Sequence, residues 1–346
     1  MSYKVGIVGF GKMGILHGGL LNSYENVELV AVADKSLFVL EGFKSVKPSL
    51  NYYTSYEKMI NNEELDAIVI TTPTFLHMEV AIMAAKKGID VFVEKPLCNN
   101  VNDGMKLLDV AKSSNSAVFV AFCVRENPIF KYGRSIVKEG KYGEIKKISS
   151  YMFIADVLKS ESGWRYDPKK SGGGVVMDFG IHMLDLLYTY FGEISSVDAK
   201  VNKIYSKKVE DESEVQIKFS SGVNASFETS WSKEEYRKSY QKIVIEYEDV
   251  VLEITDQTCI TKNKMGEIIE KKVYPDLYEG YFFDIGGALY SNQIETYMKY
   301  ISKDNNDRLK SLREGIYIQK IVEKIYESAN LSKSVDTIEL NSLLED

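Results

Sequence analysis

Gly9-Phe10-Gly11-Lys12-Met13-Gly14 follows the apolar run Val5 to Val8 directly. No other feature of the chain confines its fold so tightly. A short buried strand must end in a tight turn, and the chain must then open a helix. The first glycine permits the turn, the second lets backbone approach a pyrophosphate, and the third lets helix pack on strand. Free N–H groups and the dipole at that helix start favour an anion. Asp34 ends the next apolar run, 20 residues after Gly14. A carboxylate there accepts hydrogen bonds from both hydroxyls of an adenosine ribose and repels a 2′-phosphate. Gly9, Phe10, Gly11, Lys12, Met13, Gly14 and Asp34 are therefore expected to bind NAD. Lys35 and Ser36 follow at once and keep NADP open.

The strand–helix rhythm continues for about 120 residues. Leu29 to Ala33, Ala67 to Thr71, Val91 to Val93 and Val118 to Phe122 are short apolar runs rich in Val and Ile. Strands covered on both faces have this pattern. Helical patterns lie between them, clearest at Leu76 to Lys87, with Gly88 as C-cap, and at Asn102 to Ser113. Such alternation predicts an α/β fold with a doubly wound parallel sheet over residues 1–123.

Beyond residue 123 the period changes. A helix is predicted from Pro128 to Lys138, with proline in its first turn. Val215, Ile217 and Phe219 then alternate with polar residues, Ser220-Ser221-Gly222 turns the chain, and Val223 to Trp231 alternates back. This is an antiparallel hairpin with one apolar face. Ile243 to Tyr247 and Val250 to Ile254 add strands, and Gln293 to Ile301 and Lys310 to Ser328 read as helices. Residues 124–346 are expected to form a second, α+β domain, and a chain of 346 residues suits two domains.

The formal net charge of -7 argues against a nucleic-acid partner, which needs a basic face. Cys98, Cys123 and Cys259 are odd in number and form no Cys-x-x-Cys pair. Neither a disulfide framework nor a zinc site is expected, and a reducing cytoplasm is the default compartment. The chain opens straight into a strand and a glycine turn, so a signal peptide is not expected. No apolar run approaches the roughly 18 residues of a membrane span.

Further candidates collect at the carboxyl ends of the predicted parallel strands, where ligands of such sheets bind. They are Thr72-Pro73 with His77, Glu94-Lys95-Pro96-Leu97, and Cys123-Val124-Arg125. His17 and His77 read as packed imidazoles that support the cofactor loops. His182 differs. It lies in Ser171-Gly172-Gly173-Gly174-Val175-Val176-Met177-Asp178-Phe179-Gly180-Ile181-His182, four residues after Asp178. On a helix the two share a face. A carboxylate beside an imidazole orients it and raises its pKa, which suits a general acid/base. The bland alternative is a helix cap and an exposed histidine. A metal pair lacks further ligands at suitable spacing.

The glycine fingerprint, the Thr-Pro-x-x-x-His loop, Glu94-Lys95-Pro96-Leu97, Trp164-Arg165-x-Asp167-Pro168 and the glycine run with Asp178 and His182 occur here in that order. Together they resemble the glucose–fructose oxidoreductase, inositol dehydrogenase and rhizopine catabolism family (Gfo/Idh/MocA) along the whole chain. The resemblance implies an N-terminal Rossmann domain and a C-terminal α+β domain with a large, mostly antiparallel open sheet that builds dimers or tetramers. It implies that Lys95 and His182 face a sugar-like substrate beside the nicotinamide, with Asp178 near them, and that the Lys95–Pro96 bond is cis. Trp164, Arg165, Asp167, Arg125 and Tyr236 are candidates for the pocket lining. Lys35, Thr72, Pro73, His77, Glu94, Lys95 and Arg125 join the expected cofactor contacts. Arg125 and Arg165 have an equal alternative as structural ion pairs. The implied activity is hydride transfer between nicotinamide and a secondary alcohol or ketone of a sugar or cyclitol. A redox-neutral NAD-dependent glycosidase and a non-catalytic cofactor-binding regulator are the rival readings.

Overall fold

The computed structural model describes residues 2–156, 162–274, 287–301 and 307–344. The chain divides into two compact units, one of residues 1–121 with 285–316, the other of 122–284 with 317–346.

Among its described residues the first unit has six strands: β1 (Tyr3–Val8), β2 (Val27–Ala33), β3 (Asn51–Tyr53), β4 (Ala67–Ile70), β5 (Asp90–Glu94) and β6 (Val118–Ala121). They run parallel in the order β3-β2-β1-β4-β5-β6. The order reverses between β1 and β4, which opens a crevice beyond their carboxyl ends. Every side chain of β4 is fully buried, as helices on both faces require. This is the doubly wound sheet that the apolar runs predict. β3 escapes that reading because three residues, Asn51, Tyr52 and Tyr53, are too few to show a period.

Residues 285–316, grouped by sequence with the second domain, cluster instead with the first unit. The reason is packing. Tyr297, on the helix Ala288–Tyr300, is fully buried with its ring 5.1 Å from Phe92 and 5.6 Å from Phe119. A buried aromatic of this kind is worth about 1.5–3 kcal/mol. Arg308 returns to the same sheet, its guanidinium 2.6 Å from Asp90, whose carboxylate also accepts from the Tyr3 hydroxyl and the Ala117 N–H.

Among its described residues the second unit carries nine strands: β7 (Lys147–Phe153), β8 (Ile194–Asn202), β9 (Glu212–Phe219), β10 (Asn224–Ser230), β11 (Tyr240–Glu246), β12 (Val250–Thr255), β13 (Thr258–Asn263), β14 (Ile268–Val273) and β15 (Val335–Asp336). Their order is β14-β13-β12-β11-β7-β10-β9-β8-β15. All neighbours are antiparallel except β7 and β10. The β9–β10 hairpin closes as its alternation predicts, with Gly222 at φ +88°, a conformation that glycine adopts without strain. One sheet face is covered by the helix Ile181–Phe191, which is buried almost all round, and by Pro128–Lys138, which Asn127 caps. No helix among the described residues is long and apolar enough to cross a membrane.

Candidate active site

The fingerprint turn is held by main chain. The Gly9 N–H donates to the Ala33 carbonyl at 2.8 Å, the Thr71 N–H to that of Val8 at 2.9 Å, and the Thr71 hydroxyl to the Gly9 carbonyl. Gly9 sits at φ +88°. A Cβ on Gly14 would lie 2.1 Å from the Gly9 oxygen, whereas one on Gly11 would meet no protein atom within 4 Å. Gly14 is thus a packing glycine, and Gly11 borders open space. The helix Lys12–Leu21 starts at Gly11 with no side-chain cap and no acidic residue in its first turn. Its N–H groups remain for an anion to take.

Asp34 stands at the rim. One carboxylate oxygen accepts from the Phe10 N–H at 2.7 Å and the other from the Ser36 N–H at 2.8 Å. Both keep lone pairs for ribose hydroxyls. Ser36 is engaged as the cap of the helix Leu37–Lys44. A cavity of about 420 Å³ opens beside Asp34, lined by Gly9, Lys35, Tyr56, Thr72, Pro73 and Phe75 among others. The Thr72 hydroxyl is buried without a partner among the described residues. An open Gly11, an uncapped helix start, a clamped carboxylate and an orphaned hydroxyl fit a dinucleotide. Lys12 is exposed and Met13 half-buried at the same turn.

His77 joins two of the predicted loops. Its Nδ1 lies 2.9 Å from the Pro96 carbonyl and its Nε2 2.8 Å from that of Thr72. Burial holds its pKa below the ordinary histidine value, against the pull of the two carbonyls. The Lys95–Pro96 bond is cis. Glu94, the last residue of β5, accepts from buried His17 Nε2 at 2.7 Å. Both histidines therefore tether loops at the carboxyl ends of strands, and Lys95 lies between the two tethers in sequence.

In the second unit, Asp178 lies in a wide helical turn, Val176–Gly180, that runs directly into Ile181–Phe191. Asp178 is thus inside the helical path and does not cap it. His182 is buried, its ring edge-on to Phe122 at 6.5 Å. The Arg165 guanidinium straddles Asp178 at 3.8 Å and Asp156 at 3.9 Å and lies 5.9 Å from the Trp164 ring. Trp164, Arg165 and Asp178 are thereby brought together. Arg125 forms a forked pair with fully buried Asp185, Nε to Oδ2 at 2.8 Å and Nη2 to Oδ1. Asp167 caps the short helix Pro168–Ser171. Tyr236 packs against Phe153 and Tyr240, with ring centroids 5.1 and 4.9 Å away.

Residues 3–122 match the family model for GFO_IDH_MocA, described as an oxidoreductase family with an NAD-binding Rossmann fold. Residues 130–251 match the GFO/IDH/MocA C-terminal domain. The chain belongs to the Gfo/Idh/MocA family. It is an oxidoreductase with that family's NAD-binding domain. Oxidoreductase P35 of Formosa agariphila is 30% identical over 237 residues, 66% of this chain and 71% of that protein. Levoglucosan dehydrogenase of Pseudarthrobacter phenanthrenivorans is 27% identical over 212 residues, 57% of this chain and 53% of that protein. The chain thus spans only about half the length of the latter relative. A solved levoglucosan dehydrogenase, in complex with NADH and levoglucosan, shares the fold with a TM-score of 0.83 at 20% identity, over 97% of this chain and 99% of that one.

One residue of this Gfo/Idh/MocA chain escapes sequence reasoning. Glu210 is 5% exposed and binds the glycine run ahead of Asp178. In sequence it stands in Val209-Glu210-Asp211 at a strand entry, beside Lys207 and Lys208, and reads as a solvated turn. Gly174 is its trace in the sequence.

Proposed function

We propose that the protein transfers a hydride between NAD and a secondary alcohol or ketone of a sugar, anhydrosugar or cyclitol. The observation that carries the reading is the dinucleotide cradle, with Gly11 facing open space at an uncapped helix start and Asp34 clamped at its rim. The relatives named as levoglucosan dehydrogenases support the substrate class. Bound NAD supplies the hydride acceptor. His182 takes the proton of the substrate hydroxyl, and Asp178, on the same helical face, stabilises the imidazolium that forms. The Lys95 ammonium donates a hydrogen bond to substrate and steadies charge that develops on oxygen. Asp34 selects NAD over NADP by its charge. The Trp164–Arg165 pair lines the substrate side. The assembly is a homodimer or homotetramer working in the cytoplasm, and size-exclusion chromatography with light scattering tests the assembly.

The test is a nicotinamide absorbance assay with a panel of cyclitols, aldoses and anhydrosugars, using NAD and NADP in parallel, and with ketones and NADH in reverse. Turnover that favours NAD is expected. His182→Ala should cut kcat by about 10²–10⁴-fold, as loss of a positioned acid/base does. Tight NAD binding with no turnover in either direction would sink the reading.

A further inference from the structure

We propose that Glu210 is the positioning residue for Asp178 and His182, its carboxylate fixing the main-chain turn from which both project. This rests on the reading that those two residues handle the substrate. Three consecutive N–H groups of the turn end on this one residue. Gly174 N–H donates to the carboxylate, 2.9 Å from each oxygen, Val176 N–H donates to Oε1 at 3.1 Å, and Val175 N–H donates to the Glu210 carbonyl at 2.9 Å. The Tyr326 hydroxyl donates to the same Oε1 at 2.7 Å. These N–H groups open a helical path and have no partner within it. One buried residue takes all three, Gly174 and Val176 at its carboxylate and Val175 at its main-chain carbonyl, and so fixes the start of that path.

The approach is close enough to dictate sequence. A Cβ on Gly174 would lie 1.9 Å from the Glu210 carbonyl oxygen, and one on Gly173 would lie 2.0 Å from the Tyr326 hydroxyl. Gly173 and Gly174 are therefore the imprints of Tyr326 and Glu210, whereas Gly172 ends the helix Pro168–Ser171 at φ +80°. The carbonyl of Gly174 in turn accepts the Asp178 N–H at 3.0 Å. His182 follows one turn later. Gln319 Nε2 donates to the Met177 sulfur within the turn at 3.1 Å. Glu210 is buried beneath the turn with both oxygens engaged, so it acts through the backbone. Burial raises its pKa, while the Tyr326 hydroxyl and the N–H groups of Glu210 itself, Val176 and Gly174 oppose that rise.

Glu210→Gln keeps the shape of the side chain but turns one acceptor into a donor that faces N–H groups. Tyr326→Phe removes a single donor. Both are made in the full chain beside His182→Ala. On the best panel sugar, Glu210→Gln should lower kcat at least about tenfold with KM little changed, the split expected when only transition-state geometry is lost. The NADH dissociation constant, read by fluorescence, should stay within about threefold, because Glu210 and the dinucleotide cradle belong to different compact units. Backbone hydrogen exchange across residues 172–184 should rise about tenfold or more, with residues 3–33 unchanged. Tyr326→Phe should move the same readouts less. Wild-type kcat and exchange in a folded Glu210→Gln protein would overturn the proposal. If that protein does not fold, the same result in Tyr326→Phe overturns it. Full turnover in His182→Ala would instead break the reading of the site, and the exchange measurement would still decide whether Glu210 sets the turn.

Discussion

The dinucleotide cradle and the segment Gly174–Phe191 solve opposite problems. In the cradle, main chain must come close to a ligand, so side chains are removed, and Gly11 marks where. In the second segment, side chains must be presented, so main chain is pinned from behind. Gly174 is small there because Glu210 presses on it. The same residue type thus marks a surface for binding in one unit and a buried buttress in the other. What separates the two cases is whether an added Cβ meets solvent or protein.

That contrast breaks most easily at Gly14. Gly14→Ala puts a methyl 2.1 Å from a main-chain oxygen. Such overpacking costs about 1–3 kcal/mol or more. Because the displaced turn forms the cradle, NADH affinity should fall by more than about 100-fold. Calorimetric titration measures this, and an affinity close to wild type would show that the turn yields. Asp185→Asn comes next. It leaves the Arg125 guanidinium facing a neutral amide and should destabilise the second unit by about 3–5 kcal/mol. NADH affinity should change little. Urea unfolding and NADH titration check the two halves of that statement, and an unchanged urea midpoint would make Arg125–Asp185 dispensable.

Gly11→Ala sharpens the comparison. No protein atom opposes the new methyl, so the melting temperature should hold. NADH affinity should drop about tenfold, some 1.4 kcal/mol, through crowding of the phosphates alone. A lowered melting temperature with intact affinity would reverse the roles assigned to Gly11 and Gly14. The smallest effect belongs to His77. Its folded pKa lies below the ordinary value of 6.5, so the unfolded chain binds the proton more tightly. Its stabilising contribution is complete above about pH 6.5 and is lost as pH falls towards the folded pKa, at no more than about 1.4 kcal/mol per pH unit. Urea midpoints at pH 7.5 and 5.5 should therefore differ more in the wild type than in His77→Gln. Equal differences would remove His77 from the acid response.

Legibility in the sequence follows the same division. The fingerprint, Asp34, four of the parallel strands after β1 and the β9–β10 hairpin are local patterns, and each lies where its period puts it. Asp178 and His182 stand out in the sequence by their four-residue spacing, and the fold puts both on one continuous helical path. Partners chosen across long sequence separations are not legible. Nothing near Tyr297 announces Phe92, and nothing near Glu210 announces Gly174. Arg125 shows the limit from the other side. The sequence leaves it open between a ligand anion and a structural ion pair, and the fold pairs it with Asp185.

The return of residues 285–316 to the first unit bears on how the chain is made. Phe92 and Phe119 emerge early in synthesis, and Tyr297, which covers them, emerges only after the whole nine-stranded sheet except its last edge strand. Until then the nascent dinucleotide domain carries an uncovered aromatic face. That interval is the period in which chaperone capture or aggregation competes with folding, and a ribosome stalled before residue 285 would hold the domain in it.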